Sequence, residues 1–392
     1  MNKSIDFVAA GHICLDIFPS FSKSKTGDMS KLFSAGSLTI IDKAVLSTGG
    51  SVSNTGLSLL KLGNRVELMT KISDDMFGGI IKALLKQHTN NLSGINTIKS
   101  ESSSYTIVMA IPGVDRFFFH NPGTNNTFGC NDINFNTVKK ARVLHLGYPT
   151  LLRKLYLNNG SELVKIFKKA KSLGTVTSLD ITMPDPSEEA GKLNWNNIFK
   201  KLMPYTDIFL PSIEEALYTL NKKRYYEIKK AAGSKDPVDF FTLKDLTRVA
   251  DTLLDYGVKI AVIKCGHRGY YLKTAGKAII EKLPVKIKNW AKKEIWTPCF
   301  HVEKAASATG AGDASIAGFL TAFVKGESAI TAVKCATAAG AQNVTKMDAL
   351  SGIKDWKTTI KMAQSKKLKI KYFKINDKKW IFNKKDRIWI KV

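Results

Sequence analysis

The sequence predicts an α/β protein with a doubly wound, mostly parallel sheet flanked by helices. Short apolar runs rich in β-branched residues recur along the 392 residues, and segments with apolar residues three and four positions apart lie between them. The runs are continuously apolar, which is typical of strands that are buried on both faces. This alternation of strands and helices favours a parallel sheet with helices on both sides.

Six runs are predicted strands of this sheet, and helices are predicted between them. Two of these helices cover residues 52–62 and 161–172. Each is followed by a glycine, Gly63 or Gly174, in the position of a C-terminal cap. The predicted strands are residues 7–13, 66–69, 143–146, 176–179, 208–210 and 260–263.

Two stretches interrupt the alternation and predict a second, small sheet. Residues 104–120 have the pattern of a hairpin that turns at Pro112 and Gly113, and residues 17–44 are similarly loop- and strand-like. We expect a β lid formed from residues 17–44 and 104–125, projecting from a main domain of residues 1–365. The alternative is a set of ordinary edge strands of the main sheet, which are common in mixed sheets.

Residues 366–392 have a different pattern, in which lysines alternate with aromatic and β-branched residues. They predict a C-terminal β appendage with a turn at Asn376 and Asp377. One interpretation is that Trp380, Trp389 and the interleaved lysines stack on RNA and neutralise its phosphates. An amphipathic edge strand that packs on its own domain explains the same pattern, and we favour it.

The formal net charge of +27 makes nucleic acid a candidate partner. Only eight of the 60 basic residues are arginine, the residue that binds phosphates and guanine edges bidentately. The lysines are spread along the whole chain rather than gathered in one patch. The composition therefore disfavours a nucleic-acid-binding protein, although a positive field favours small anionic ligands.

The five cysteines are scattered along the chain, with no CxxC pair, and the histidines lack the spacing of metal ligands. This argues against a disulfide framework or a zinc site and for a reducing compartment. No apolar run is long enough to cross a membrane, and the first residues lack the apolar segment of a signal peptide. We therefore expect a cytoplasmic protein with no membrane partner, in which the histidines are structural or surface residues.

The segment Ala-Thr-Gly-Ala-Gly-Asp at residues 308–313 is the strongest chemical signal. A helix is predicted directly after it, because apolar residues recur at 316, 319, 320 and 323. Small residues before a helix leave backbone N–H groups free, which suits a phosphate or its transition state. Asp313 then either takes the proton of an attacking hydroxyl or simply caps the helix. On this segment alone both roles stay open.

Two upstream segments add groups that suit hydroxyls. Gly49 and Gly50 precede a predicted helix and allow a ligand close to the backbone, while Asn54 offers both a donor and an acceptor. Asp16 follows the first predicted strand, where its carboxylate can accept hydrogen bonds from hydroxyls. The chain contains no Walker A segment, so a P-loop nucleotide site is not expected.

These segments resemble the motifs of the ribokinase-like (PfkB-type) carbohydrate kinase family, and the resemblance extends over roughly residues 7–362. It implies a ribokinase-like fold and an enzyme that uses ATP and Mg²⁺ to phosphorylate a hydroxyl of a sugar or related polyol. Asp313 then resembles the family's catalytic base, and the backbone of Gly310, Ala311 and Gly312 resembles its anion hole. The residues that resemble its substrate-binding groups are Asp16, Gly49, Gly50, Asn54 and, at the end of the lid strands, Asn125.

The resemblance also implies a nucleotide site and a metal site. Lys264, Gly266 and Gly269 belong to a turn like the one that lines the family's nucleotide pocket, and Asn343 lies on the helix beside the adenine. Glu215 resembles the glutamate of the N-x-x-E motif, which helps to organise Mg²⁺.

Two residues depart from the family pattern. Ser212 stands where the N-x-x-E motif has asparagine, so the metal role depends on Glu215. Ser307 replaces the acid that often opens the D-T-x-G-A-G-D signature, which puts activation by a monovalent cation in doubt.

Two other functions stay open beside the kinase. One is a non-catalytic relative that binds a nucleotide or sugar as a regulator, and the retained Asp313 argues against it because a binding module needs no base. The other is a kinase whose residues 366–392 bind nucleic acid. Ribose, fructose, a ketodeoxy acid and a nucleoside all remain candidate acceptors. A homodimer formed through the lid sheet is a further expectation from the resemblance.

Overall fold

The computed structural model describes residues 3–21, 34–111 and 117–392, and it has the predicted α/β architecture. In this part of the chain, one large sheet has eleven strands and a small sheet has four. The strands of the large sheet are β1 (Ile5–Gly11), β4 (Val66–Ser73), β5 (Ile95–Ile98), β8 (Ala141–Gly147), β9 (Val176–Asp180), β10 (Ile208–Phe209), β11 (Ile260–Lys264), β12 (Tyr270–Thr274), β13 (Glu294–Thr297), β14 (Trp380–Asn383) and β15 (Ile388–Lys391). Those of the small sheet are β2 (Cys14–Ser20), β3 (Asp42–Gly49), β6 (Tyr105–Met109) and β7 (Phe117–Asn121).

Helices cover both faces of the large sheet. Apolar residues of α1, α2, α11 and α12 fill the core on one face, and those of α4, α6, α7 and α9 fill the core on the other. The helices are α1 (Ser51–Lys61), α2 (Met76–Lys86), α3 (Phe135–Lys140), α4 (Arg153–Ser172, interrupted at residues 157–160), α5 (Glu189–Lys192), α6 (Trp195–Leu202), α7 (Ile213–Leu220), α8 (Lys222–Ala232), α9 (Leu243–Asp255), α10 (Lys277–Ile280), α11 (Ala311–Val324), α12 (Ala329–Asn343) and α13 (Trp356–Gln364).

The large sheet is mostly parallel, as the sequence predicts. Its order is β5-β4-β1-β8-β9-β10-β11-β12-β13-β15-β14, with parallel pairing from β5 to β11 and antiparallel pairing beyond. All six predicted strands lie in the parallel part, and α1 and the longer part of α4 match two predicted helices. Gly63 and Gly174 have φ values of 79° and 67°, which confirms the predicted C-terminal caps.

The strands in the described parts of the two interrupting stretches belong to the small sheet and are not edge strands of the large one, and β3 continues beyond the predicted end at residue 44 to Gly49. Strand β2 pairs antiparallel with β3 and parallel with β6, and β6 pairs antiparallel with β7. The pairing of β6 with β7 is the predicted hairpin. Its predicted turn at Pro112 and Gly113 lies outside the described residues.

The C-terminal residues extend the large sheet. Strand β15 pairs with β13, and β14 pairs with β15 at the edge. A turn begins at Asp377, whose carbonyl oxygen accepts a hydrogen bond from the N–H of Trp380 (2.9 Å), close to the turn predicted at Asn376 and Asp377. The chain reverses again between Asn383 and Ile388, where the sequence predicted no turn. Trp380 and Trp389 are 5% and 6% exposed, so their rings pack inward and are not available to stack on a nucleic-acid base.

Two findings concern the cysteines and the helices of the described chain. All five cysteines are free thiols, and four of them are buried. A search of the described helices finds none that is both long and apolar enough to cross a bilayer.

Candidate active site

The carboxyl ends of the central parallel strands lie beside the first turn of α11. Asp180 ends β9, Lys264 ends β11, and Tyr148 directly follows β8. A cavity of about 710 Å³ opens there, and Glu215 and Asp313 also line it. This location is the one at which open α/β sheets bind ligands.

The glycine turn of residues 308–313 starts α11. Gly310 has a φ of 71°, a left-handed conformation that glycine adopts without strain. The N–H of Ala311 donates to the carbonyl oxygen of Ala308 (3.1 Å), so the turn itself uses this donor. The N–H groups of Gly312 and Asp313 belong to the first helical turn, where the helix supplies no partner and its dipole favours negative charge. They are therefore better placed to bind an anion than the N–H of Ala311.

Asp313 is 4% exposed, and its side chain contacts α1 and Tyr148 rather than capping α11. Its Oδ2 accepts hydrogen bonds from the Tyr148 hydroxyl (2.8 Å) and from Nδ2 of Asn54 (3.2 Å). Its Oδ1 accepts one from the Thr55 hydroxyl (2.9 Å). Burial raises the pKa of Asp313, while these three donors and the charge of Lys264 act in the opposite direction. The capping role left open by the sequence is therefore wrong.

Gly49 and Gly50 make room for two side chains of the protein itself. A Cβ on Gly49 would overlap the carboxylate of Asp16, and a Cβ on Gly50 would overlap the imidazole of His12. Gly50 also has a φ of 89°, which disfavours any other residue. The glycine pair thus brings Asp16 and His12 against the start of α1.

A row of polar side chains crosses the small sheet next to His12. Strand pairing aligns Asp16 with Thr106 and Thr106 with His120. The Thr106 hydroxyl lies 2.9 Å from Nδ1 of His120, whose ring centre is 5.5 Å from that of His12. Burial raises the pKa of Asp16 to about 6, although hydrogen bonds to its carboxylate act against this. A carboxylate and an imidazole therefore share one face of the small sheet.

His12 is an unsatisfied polar group beside these residues. It is 2% exposed, and neither ring nitrogen has a hydrogen-bond partner within the described chain. Its ring centre lies 5.5 Å from that of His120 and 6.2 Å from that of Tyr148. Burial lowers the pKa of His12 to about 3, so its ring is neutral at pH 7. A buried polar group without a partner costs about 1–3 kcal/mol, which a bound hydroxyl or water can offset.

Lys264, Asp180 and Glu215 form a charged cluster at the floor of the cavity. Nζ of Lys264 lies 2.5 Å from Oδ1 of Asp180 and 3.9 Å from Oε2 of Glu215. Burial raises the pKa of both carboxyl groups, and Lys264 opposes this. The stem of Lys264 passes 3.9 Å from the position that a Cβ would take on Gly312. A cation is therefore fixed beside the N-terminus of α11.

A capping box holds Glu215 in place. The hydroxyl of Ser212 accepts a hydrogen bond from the N–H of Glu215 (3.1 Å), and Oε2 of Glu215 accepts one from the N–H of Ser212 (2.6 Å). Serine caps a helix about as well as asparagine, so the departure at Ser212 preserves this arrangement. No group of three or more Asp, Glu, His or Cys side chains among the described residues forms a ready metal site. Mg²⁺ suits such a place, because it commonly takes one or two carboxylates and completes its shell with water and phosphate.

The turn that contains Gly266 and Gly269 lies at one wall of the cavity. Gly266 lines the cavity and has a φ of 51°. Gly269 has a φ of 88°, and a Cβ there would overlap the carbonyl oxygen of Thr297. Both glycines are therefore required by the backbone of this turn.

Two predicted binding residues contact the backbone instead of the open cleft. Asn343 is fully buried and donates to the carbonyl oxygen of Thr309 (2.7 Å), directly before the glycine turn. Asn125 is 1% exposed, and its amide donates to the carbonyl oxygen of Ile13 (2.8 Å). Each asparagine thus orders a segment that borders the site.

Several residues of the site were not predicted from the sequence. Asp180 had a usable signal, because it follows an apolar strand in the way that Asp16 does. Tyr148 adopts a φ of 59°, an uncommon left-handed conformation for a residue other than glycine, which only the structure reveals. His12 and His120 were expected to be structural or surface residues, and the fold places both beside Asp16.

A sequence model of the pfkB family of carbohydrate kinases matches residues 26–356. This match covers well over half of the chain, so the protein belongs to the pfkB carbohydrate kinase family. It is accordingly a sugar kinase with a ribokinase-type fold.

Individual relatives are distant but cover most of the chain. The chain is 23% identical over 366 residues to "Probable fructokinase-2" of Arabidopsis thaliana, which covers 90% of this chain and 93% of the relative. It is 24% identical over 301 residues to the 5-dehydro-2-deoxygluconokinase of Clostridium perfringens, covering 76% and 78%. The structure of Arabidopsis thaliana ribokinase complexed with ribose and ATP aligns with a TM-score of 0.67 at 18% identity, covering 93% of this chain and all of that one.

Proposed function

We propose that this protein transfers the γ-phosphoryl group of ATP to a hydroxyl of a sugar or related polyol, with Asp313 as the general base. The observation that carries the proposal is the setting of Asp313, a buried carboxylate held by three donors beside free N–H groups of a helix N-terminus. The ribokinase that binds ribose and ATP has the same fold, which supports this pair of substrates.

In the proposed reaction, the acceptor hydroxyl lies between Asp313 and the γ-phosphorus atom. The hydroxyl oxygen forms the new bond to phosphorus, its proton passes to Asp313, and ADP leaves. Because burial raises the pKa of Asp313, its carboxylate holds a proton more readily than an exposed one does. The N–H groups of Gly312 and Asp313, together with Lys264, stabilise the charge on the transferred group.

We place ATP in the cavity of about 710 Å³, between the turn of Gly266 and Gly269 and the end of α12. Mg²⁺ bound there would neutralise part of the phosphate charge. Glu215 would hold it through water, because its carboxylate lines the cavity while the capping box fixes its orientation. Ser307 is uncharged, and its hydroxyl accepts a hydrogen bond from the N–H of Thr309 (3.1 Å), so we propose no monovalent cation.

The charges around Asp16 favour a neutral acceptor over a sugar acid or sugar phosphate. Within the described chain, the pKa of Asp16 is shifted by burial and by hydrogen bonds, and no cationic side chain contributes to the shift. Hydroxyls both donate and accept, so they match the carboxylate of Asp16 and the neutral ring of His120. An anionic group on the acceptor would instead lie near Asp16 and Asp313. Ribose and fructose therefore suit the site better than a ketodeoxy acid.

The replacement Asp313→Asn tests the catalytic assignment. We expect turnover to fall by roughly two or more orders of magnitude while ATP affinity stays nearly unchanged, because the amide cannot accept the proton. The assay is ADP release with neutral sugars, sugar acids, sugar phosphates and nucleosides as acceptors. The exposed Asp377→Asn serves as the matched control. Similar turnover in Asp313→Asn and wild type would rule out Asp313 as the base.

We also propose a homodimer formed through the small sheet. Val45 and Leu46 on β3 and Phe118 and Phe119 on β7, the two edge strands of the small sheet, are 60%, 41%, 61% and 54% exposed, so this sheet presents several large apolar side chains to solvent. Light scattering measures the mass in solution, and a monomer at every concentration would exclude this arrangement.

The free, mostly buried thiols support a reducing, cytoplasmic location.

A further inference from the structure

The segment after the family match packs along one wall of the proposed nucleotide cavity and contributes Lys371 to its lining. The family match ends at residue 356, and the chain then continues to β14 and β15. Residue Ile370 pairs with Phe300, the N–H of Lys371 donates to the carbonyl oxygen of Cys299 (2.8 Å), and the N–H of His301 donates to the carbonyl oxygen of Lys369 (2.9 Å). Cys299, Phe300 and Lys371 all line the cavity.

Ring contacts fix this segment to the turn beside the nucleotide. The rings of Phe373 and Trp296 lie 4.5 Å apart between centres, and the guanidinium of Arg268 lies 4.8 Å from the Trp296 ring. Arg268 belongs to the short turn at Gly266–Arg268. Nε1 of Trp389 donates to the carbonyl oxygen of Phe373 (3.0 Å), which anchors the segment to β15. The position of Lys371 is therefore set by several contacts on both sides.

Lys371 is one of two lysines on a cavity wall whose charged side chains are mostly acidic. Five carboxylates line the cavity, whereas Lys264 and Lys371 are the amines among its described lining residues. Lys264 is already paired with Asp180 at 2.5 Å. Lys371 forms no ion pair within the described chain, and its charge acts on the thiol of Cys299. Its ammonium group is therefore available to pair with the proposed ligand, which carries several negative charges.

We propose that Lys371, from the segment beyond the family match, binds the phosphate chain of the nucleotide. This inference rests on the proposed use of ATP. Its physical basis is charge neutralisation, since a polyphosphate otherwise meets a wall rich in carboxylates. The C-terminal segment is then part of the nucleotide site as well as of the sheet.

The test compares Lys371→Gln with Lys371→Arg and with Lys374→Gln, an exposed lysine of the same segment outside the cavity lining. Titration calorimetry with ATP gives the affinity, and initial rates give KM for ATP and for the acceptor. We expect Lys371→Gln to weaken ATP binding about fivefold at low salt, and less at high salt because ions screen the contact. Lys371→Arg keeps the charge and should stay near wild type, as should Lys374→Gln. The KM for the acceptor should not change.

Two results would separate failure of this inference from failure of the proposed function. Equal ATP affinity in wild type and Lys371→Gln would overturn the role of Lys371 and leave the kinase intact. An equal loss in Lys374→Gln would also overturn it, because general surface charge would then explain the effect. If wild type bound no ATP at all, the proposed function itself would be wrong, and this inference with it.

Discussion

Burial and hydrogen bonding act on the pKa of Asp313 in opposite directions, and their balance would set the pH at which it could serve as the proposed base. Burial raises its pKa, whereas the Tyr148 hydroxyl, Thr55 and Asn54 favour the charged form. The hydroxyl of Tyr148 is itself buried, and the negative charge of Asp313 helps to raise its pKa. The tyrosine therefore remains a neutral donor throughout the working range.

Replacing Tyr148 by phenylalanine removes one donor from this balance. The pKa of Asp313 should rise further, so the carboxylate becomes available only at higher pH. We expect the rising limb of the kcat–pH profile to move to higher pH, with the KM for ATP unchanged. The exposed Tyr226→Phe is a suitable control. A profile that stays in place would show that Tyr148 does not tune the base.

At the scale of elements, the turn between β3 and α1 connects the small sheet to a helix that packs on the large sheet. Asp16 lies on β2 of the small sheet, and Asn54 and Thr55 lie on α1 beneath it. The absence of a side chain at Gly49 lets the carboxylate of Asp16 lie against this turn. The small sheet thus places Asp16 against the turn that leads to Asn54 and Thr55, both of which donate hydrogen bonds to Asp313.

The replacement Gly49→Ala tests this arrangement. Its Cβ would displace the carboxylate of Asp16, so the KM for the acceptor should rise about tenfold or more, as when a hydrogen bond to a charged group is lost. The KM for ATP should stay the same. Gly79→Ala on α2 is the matched control, because no atom lies within 4 Å of the added Cβ and alanine favours a helix by up to about 1 kcal/mol. An unchanged acceptor KM in Gly49→Ala would contradict the binding role of Asp16.

Local patterns predicted the elements but not the pairs of side chains that meet between them. The glycine turn, α1 and the parallel strands follow from apolar spacing and glycine positions within short windows. The contact of Thr55 with Asp313 joins residues 258 positions apart, and that of Tyr148 with Asp313 joins residues 165 apart. No local pattern carries such information. The same reason explains why His12 and His120, distant in sequence, were taken for ordinary structural or surface residues.

At the scale of the whole molecule, the lysine-rich pattern of the C-terminal segment is explained by its place at the edge of the large sheet. Residues 366–392 carry eleven basic residues and two aspartates, which suggested a nucleic-acid tail. In the fold, Trp380, Ile388 and Trp389 are core residues, and their strands complete one edge of the large sheet. Alternation of lysine with apolar residues is thus the pattern of a strand with one buried face. The sequence identified the strands but not the sheet that they join.

Ending the chain after Ser365 should therefore weaken both the fold and the nucleotide site. The truncation removes β14 and β15, uncovers β13 as an unpaired edge, and exposes the cavity wall formed by Cys299 and Phe300. We expect a lower unfolding temperature, a tendency to aggregate, and a loss of ATP affinity larger than that of Lys371→Gln. Thermal unfolding, size-exclusion chromatography and ATP titration measure the three effects. Removal of Val392 alone, a residue that is 76% exposed, is the control. A truncated protein with wild-type stability and ATP affinity that has lost only retention on RNA or heparin would instead make this segment a nucleic-acid-binding element.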